Sequence, residues 1–166
     1  GVGITVTGSP PIIPNNIDIT YTIVYTAYDG ANGTAQISRI VNIVDKEPPI
    51  ITLLGDDPFY YEVYSETEIP GVTITDNYST GLTAVLSGDT VDKNTDIGTY
   101  TIIYSTQDSS GNQATSVERT VIVRDTTAPV INLIDDSSII IEAGDGYQDP
   151  GITFSDNYSQ PENIVI

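Results

Sequence analysis

The side chains able to do chemistry in this chain are almost all acids and amides. There are 23 Asp+Glu against 5 Lys+Arg, a formal net charge of −18, and no His, Cys, Met or Trp. Lacking Cys, the chain can form no disulfide, thiolate nucleophile or cysteine-held zinc or iron–sulfur cluster. Lacking His, it is without the commonest general base and metal ligand. Adjacent carboxylates stand at Asp56-Asp57 and Asp135-Asp136. Catalysis by a carboxylate pair needs the two in differing environments across a cleft. These pairs instead recur at one turn of a repeated phrase, where Asp serves the backbone. There is no nucleophile elbow, phosphate-binding glycine loop or metal-hydrolase motif. The expectation is therefore a chain that is not an enzyme. What carboxylate and amide oxygens do well is hold a hard cation. Calcium takes roughly six to eight of them.

Such ligands need elements to position them, and the elements come in copies. PGVTITDNYS (Pro70–Ser79) returns 80 residues later as PGITFSDNYS (Pro150–Ser159). The same offset pairs Pro49 with Pro129, Leu53 with Leu133, Glu62 with Glu142 and Asp76 with Asp156, with no gap. A fixed offset marks an internal repeat. The first residues join the scheme with one-residue loop adjustments. Tyr21 and Tyr25 match Tyr100 and Tyr104, and Asp45 in VNIVDKEPP matches Asp125 in VIVRDTTAP. Three segments follow: 1–47, the back of a repeat; 48–127, a complete repeat; and 128–166, the front of a further one. The chain thus starts and stops within repeats. It is expected to be a stretch of a longer array. The competing idea is that 128–166 of one chain completes 1–47 of the next, head to tail, as in strand complementation.

Within a repeat, Thr, Ile, Val and Tyr dominate, which suits pleated sheets. Tyr100, Ile102 and Tyr104 alternate with Thr99, Thr101 and Ser105, and Val117, Val121 and Val123 share another face. Short alternating runs cut by Gly, Asp, Asn and Pro read as an all-β sandwich. Strands are predicted at 50–54, 59–64, 71–75, 82–87, 99–106 and 114–124, with a further short one near 89–92. Asp108–Asn112 is a turn. Tyr100 occupies the place of the corner tyrosine of immunoglobulin-like folds. Phe59, Tyr60, Tyr61 and Tyr64 cannot all point inward from one strand.

In such a sandwich the loop after the third of these strands and the turn before the last strand lie where the linker enters. This brings Asp45 and Glu47 towards Asp76, Asn77 and Asp108 at the first junction. At the second junction it brings Asp125 towards Asp156 and Asn157, with Thr127 in the place of Glu47. Calcium at these junctions is the one chemical expectation with geometric content, set against ordinary turn duty for Asp and Asn. Asn32, Asn77 and Asn157 open N-x-S/T sequons, and N-glycosylation is a second use for them.

DTTAPVINLIDDSSIIIEAGDGYQDPGITFSDNYS, continued by GTYTIIYSTQDSSGNQATSVERTVIVRD, resembles the Ig-like repeats of bacterial surface proteins. It is also similar to the hyalin-repeat modules of secreted adhesins. The resemblance implies tandem Ig-like β-sandwich repeats of about 80 residues on the cell surface, and it does not specify a function. Lys46-Glu47-Pro48-Pro49 departs from the D-T-T-A-P linker, and Ile69-Pro70-Gly71 from D-P-G. The expectation is an extracellular structural module: a stalk, or a segment of a filament or surface layer. Its partners would be adjacent repeats or copies of itself. The alternatives are an adhesin module reading a glycan or a partner cell's surface protein, and a spacer of a larger secreted enzyme. Five scattered cations argue against nucleic acid. No run approaches the ~18 apolar residues of a membrane span, so no membrane insertion is expected in this segment.

Overall fold

The computed structural model describes residues 3–7, 17–31 and 33–159. Among these, every regular element is a strand: β1 (Gly3–Thr7), β2 (Ile19–Tyr28), β3 (Thr34–Ile43), β4 (Ile50–Leu53), β5 (Phe59–Glu62), β6 (Val72–Thr75), β7 (Val85–Gly88), β8 (Gly98–Ser105), β9 (Val117–Arg124), β10 (Val130–Leu133) and β11 (Ile152–Ser155). They form sheets in the orders β1-β2-β3, β4-β6, β5-β9-β8-β7 and β10-β11. The all-β expectation holds, and the predicted strands from 50 to 124 form within a few residues of their places. The exception is 89–92. Asp92 there turns the chain by accepting the Asn94 amide (2.8 Å), while Asp89 accepts the Thr101 amide (2.7 Å). These side chains offer the backbone a turn in place of a ladder.

The strand pattern follows the alternation of the sequence. Ile102 and Tyr104 of β8 are buried, as are Arg119, Val121 and Val123 of β9. Fully burying one such apolar side chain is worth roughly 1.5–3 kcal/mol. Tyr100 closes the corner its position promised, its hydroxyl donating to the Asp96 carbonyl at 2.9 Å. Of the aromatic run, Tyr61 points inward and donates its hydroxyl to the Ser65 carbonyl. Tyr60 points outward beneath Arg124, whose guanidinium carbon lies 4.2 Å from the ring centroid.

By internal contacts the chain divides into two compact units. One comprises Gly1–Thr52, Val72–Val85 and Tyr104–Val117; the other comprises Leu53–Gly71, Leu86–Ile103 and Glu118–Ile166. The first holds Ile51, Tyr104 and Ala114 in its interior, together with the buried acids Asp45 and Asp108. The second holds Tyr61, Val63, Ile102, Val121 and Val123, together with Arg119.

Arg119 was not foreseen as a structural residue. It is fully buried and donates to the backbone carbonyls of Leu54, Asp56 and Gly71. The parity of β9 was the available signal, because position 119 shares a face with Val121 and Val123. A guanidinium can sit there because its planar fork meets several carbonyls at once. Alongside it, Asp57 accepts the Thr120 amide at 2.8 Å, so the Asp56-Asp57 pair does turn duty.

Candidate metal centre

Three aspartates from separate stretches of the chain meet in the first unit. Asp45 leaves β3 on the linker, Asp76 opens the loop after β6, and Asp108 starts the turn between β8 and β9. One carboxylate oxygen from each lies within 4.8 Å of the others; Asp45 and Asp108 are buried and Asp76 is half-buried.

Each carboxylate is fixed by its own loop. Asp45 accepts the Glu47 amide (3.1 Å) through Oδ1. Asp76 Oδ1 accepts the amides of Tyr78 (3.0 Å) and Ser79 (2.6 Å). Asp108 Oδ1 accepts those of Ser110 (2.9 Å) and Asn112 (2.7 Å). These are the local bonds for which Asp is chosen in turns. Asn112 ties two of the loops together. Its side-chain amide donates to Asp108 Oδ2 at 2.7 Å and to the Asp45 carbonyl at 3.3 Å. Ser79 and Ser109 join the other two through their hydroxyls at 3.0 Å.

The remaining oxygens decide what the cluster can do. Oδ2 of Asp45 and Oδ2 of Asp76 are buried and accept no hydrogen bond. A buried carboxylate oxygen without a donor carries the cost of lost hydration uncompensated. At Asp108, burial pushes the carboxyl up. The Asn112 side chain and amide, with the Ser110 and Gly111 amides, outweigh it and hold the group below the ordinary range. Three clustered carboxylates repel unless a cation stands among them. The donor set is all oxygen, which suits calcium or magnesium over softer metals.

The sequence expectation named more residues than this group contains. Glu47 and Asn77 are exposed, and Glu47 contributes its backbone amide to Asp45. Asn112, which the sequence suggested only as the end of a turn, joins as the cross-link between loops. At the second junction, Asp156 repeats the local arrangement of Asp76. Its Oδ2 accepts the amides of Tyr158 (3.2 Å) and Ser159 (2.7 Å), and Oδ1 is buried without a partner. The Ser159 amide leads the bonds that hold this carboxyl low, against burial. Asp125 accepts the Thr127 amide at 3.0 Å, and Asn157 is exposed. The position 80 residues after Asp108 is not in the sequence, so this junction has no third acid of that kind here. Of the sequon asparagines, Asn77 and Asn157 are exposed, and Asn32 lies outside the described residues.

Residues 51–123 match the family model described as bacterial surface protein, Ig-like domain. The chain is also similar to an uncharacterized 81.3 kDa protein of Acholeplasma phage L2. The identity is 31% over 137 residues, which is 80% of this chain and 18% of the phage protein. A serine-rich adhesin for platelets from Staphylococcus aureus is 30% identical over 125 residues, 68% of this chain and 5% of that protein. The chain thus spans under a fifth of each of these relatives.

Proposed function

Residues 51–123 are a bacterial-surface Ig-like domain, and on that premise we propose that the chain is a non-enzymatic structural segment of a cell-surface protein. Tandem repeats of about 80 residues are set end to end in it, and the junction between them is stiffened by a divalent cation. Calcium is the ion that fits best. One observation carries the reading: Asp45 and Asp76 each keep a buried carboxylate oxygen without a donor, in one group with Asp108. Asp45 belongs to the linker, and Asp76 and Asp108 belong to loops of the following domain. A shared cation would therefore fix the linker to that domain. No helix among the described residues is long and apolar enough to cross a membrane.

The test is thermal melting of the chain in calcium and in chelator, with calorimetric titration of calcium. A ligand at a hundredfold excess over its Kd stabilises by about 2.7 kcal/mol, which should move the melting temperature by several degrees. An unchanged melting temperature and no binding heat would return the three aspartates to turn duty alone.

A second reading, recognition of a partner cell surface, draws support from the relative named as an adhesin for platelets. The exposed aromatics weigh against a sugar-stacking face. Tyr60 already faces Arg124, and the Tyr64 ring lies against Tyr158 with centroids 6.0 Å apart.

A further inference from the structure

The C-terminal segment repeats the front of the Ig-like domain, and its surface has an opening where that domain has Arg119. In the domain, the Leu54 amide donates to Gly71 at 3.0 Å, and Arg119 reaches the carbonyls of Leu54, Asp56 and Gly71. Eighty residues on, the Ile134 amide donates to Gly151, also at 3.0 Å. Gly55 and Asp135 hold the same left-handed turn, with φ of 72° and 70°. The frame that receives the arginine is therefore built again. Beside it lies a cleft of about 320 Å³ lined by Ile134, Asp136, Gly151, Ile139, Ile141 and Tyr147.

A strand is missing beside the same cleft. β5 pairs in parallel with β9, Phe59 opposite Val121 through Glu62 opposite Arg124. The counterpart stretch, Ile139–Glu142, is as apolar as β5 but forms no strand. The N-terminal segment is short of the reciprocal part. Its sheet runs β1-β2-β3, matching β7-β8-β9 and leaving the far edge of β3 without the strand that β5 gives β9. Arg39, 80 residues before Arg119, is exposed on that β3.

We propose that the C-terminal segment docks β3 of a second copy of this chain. Arg39 of the second copy enters the cleft at Ile134, Asp136 and Gly151. Ile139–Glu142 then pairs in parallel with residues 41–44 of that copy, in the register of β5 on β9. Repeated from copy to copy, the contact is heterologous and builds a head-to-tail chain. The central domain argues for this occupant, since its own sequence covers the same frame with the same arginine-bearing strand. The inference does not depend on the cation site, and its test is run in chelator so that the two stand or fall separately.

Sedimentation velocity over a concentration series should show the 166-residue chain forming oligomers that grow with concentration. Arg39→Ala, at an exposed side chain, should leave the melting temperature alone and weaken association at least tenfold. Arg39→Lys should fall between, since it keeps the charge but not the fork. The chain has no cysteine, so register can be read directly. Mixing Asn42→Cys and Ile140→Cys chains under oxidation should give a disulfide-linked pair, and Gln36→Cys with Ile140→Cys should not. A monomer at the highest concentration would assign the cleft to a following repeat of the same polypeptide and overturn the proposal. Association indifferent to Arg39→Ala, or cross-linking without regard to register, would overturn it equally.

Discussion

Residues 50–75 and 130–155 are two copies of one phrase, and they fold alike only in part. Each makes a two-stranded antiparallel sheet or its β4-β6 equivalent, with the same closing bond from residue 54 or 134 to Gly71 or Gly151. Beyond that they diverge. Ile51 is 8% exposed and Ile131 59%; Tyr61 is 4% exposed and Ile141 51%. β5 is a strand, and its counterpart is not. The strand pair needs only its own residues. The third strand and the arginine anchor need a back half carrying β9. Local sequence fixes the first, and contacts distant in sequence fix the second.

The sharpest way to break this comparison is to remove the anchor. Arg119→Ala would leave the carbonyls of Leu54 and Asp56 without their donor and open a large void beneath Val121 and Val123. Such losses cost about 3–5 kcal/mol, enough to consume much of a small domain's stability. Arg39→Ala, at the equivalent but exposed position, should change stability by no more than about 0.5 kcal/mol. Urea melts of both variants measure the difference. Equal effects would mean that the buried arginine anchors nothing.

The junction acids make a second contrast, three at Asp45, Asp76 and Asp108 against two at Asp125 and Asp156. Asp76→Asn keeps an oxygen for the Tyr78 and Ser79 amides and removes one negative charge. In chelator it should be neutral or mildly stabilising, because repulsion falls. In calcium it should be less stable than the parent, with the binding heat weakened at least tenfold. Asp156→Asn should show neither reversal. Parallel melts in the two media check the sign. A uniform loss in both would make Asp76 a turn residue and no ligand.

Much of this was readable before any coordinates. The 80-residue offset and the period-two alternation of TYTIIYST located the strands, because both are local signals. The acids were legible as junction residues, since Asp and Asn recur at loop starts. Three things were not. The turn at Asp92 competes with a strand through side-chain bonds that alternation does not register. Arg119 looked like a surface cation because composition gives no hint of the three carbonyls awaiting it. Asn112 became a cross-link only through Asp45, 67 residues away.

The smallest expected effect sharpens the same contrast at the linker. Glu62 accepts the Thr126 amide and hydroxyl, both at 2.8 Å, and the Thr127 hydroxyl at 3.2 Å. The Thr126 amide is the leading cause that holds its carboxyl below the ordinary glutamate range. A carboxyl lowered by folding stabilises fully above its unfolded value. That contribution fades as pH falls through the lowered folded value. Glu62→Gln should therefore lower the melting temperature modestly at neutral pH, and the gap to the parent should close on acidification. Asp29, Asp108 and Asp156 are lowered as well, so only the difference between variant and parent isolates Glu62. Glu142, its exposed counterpart, supplies the control: Glu142→Gln should leave the acid limb of the melting curve in place. If both variants shift that limb alike, the linker bond contributes nothing beyond the surface charge.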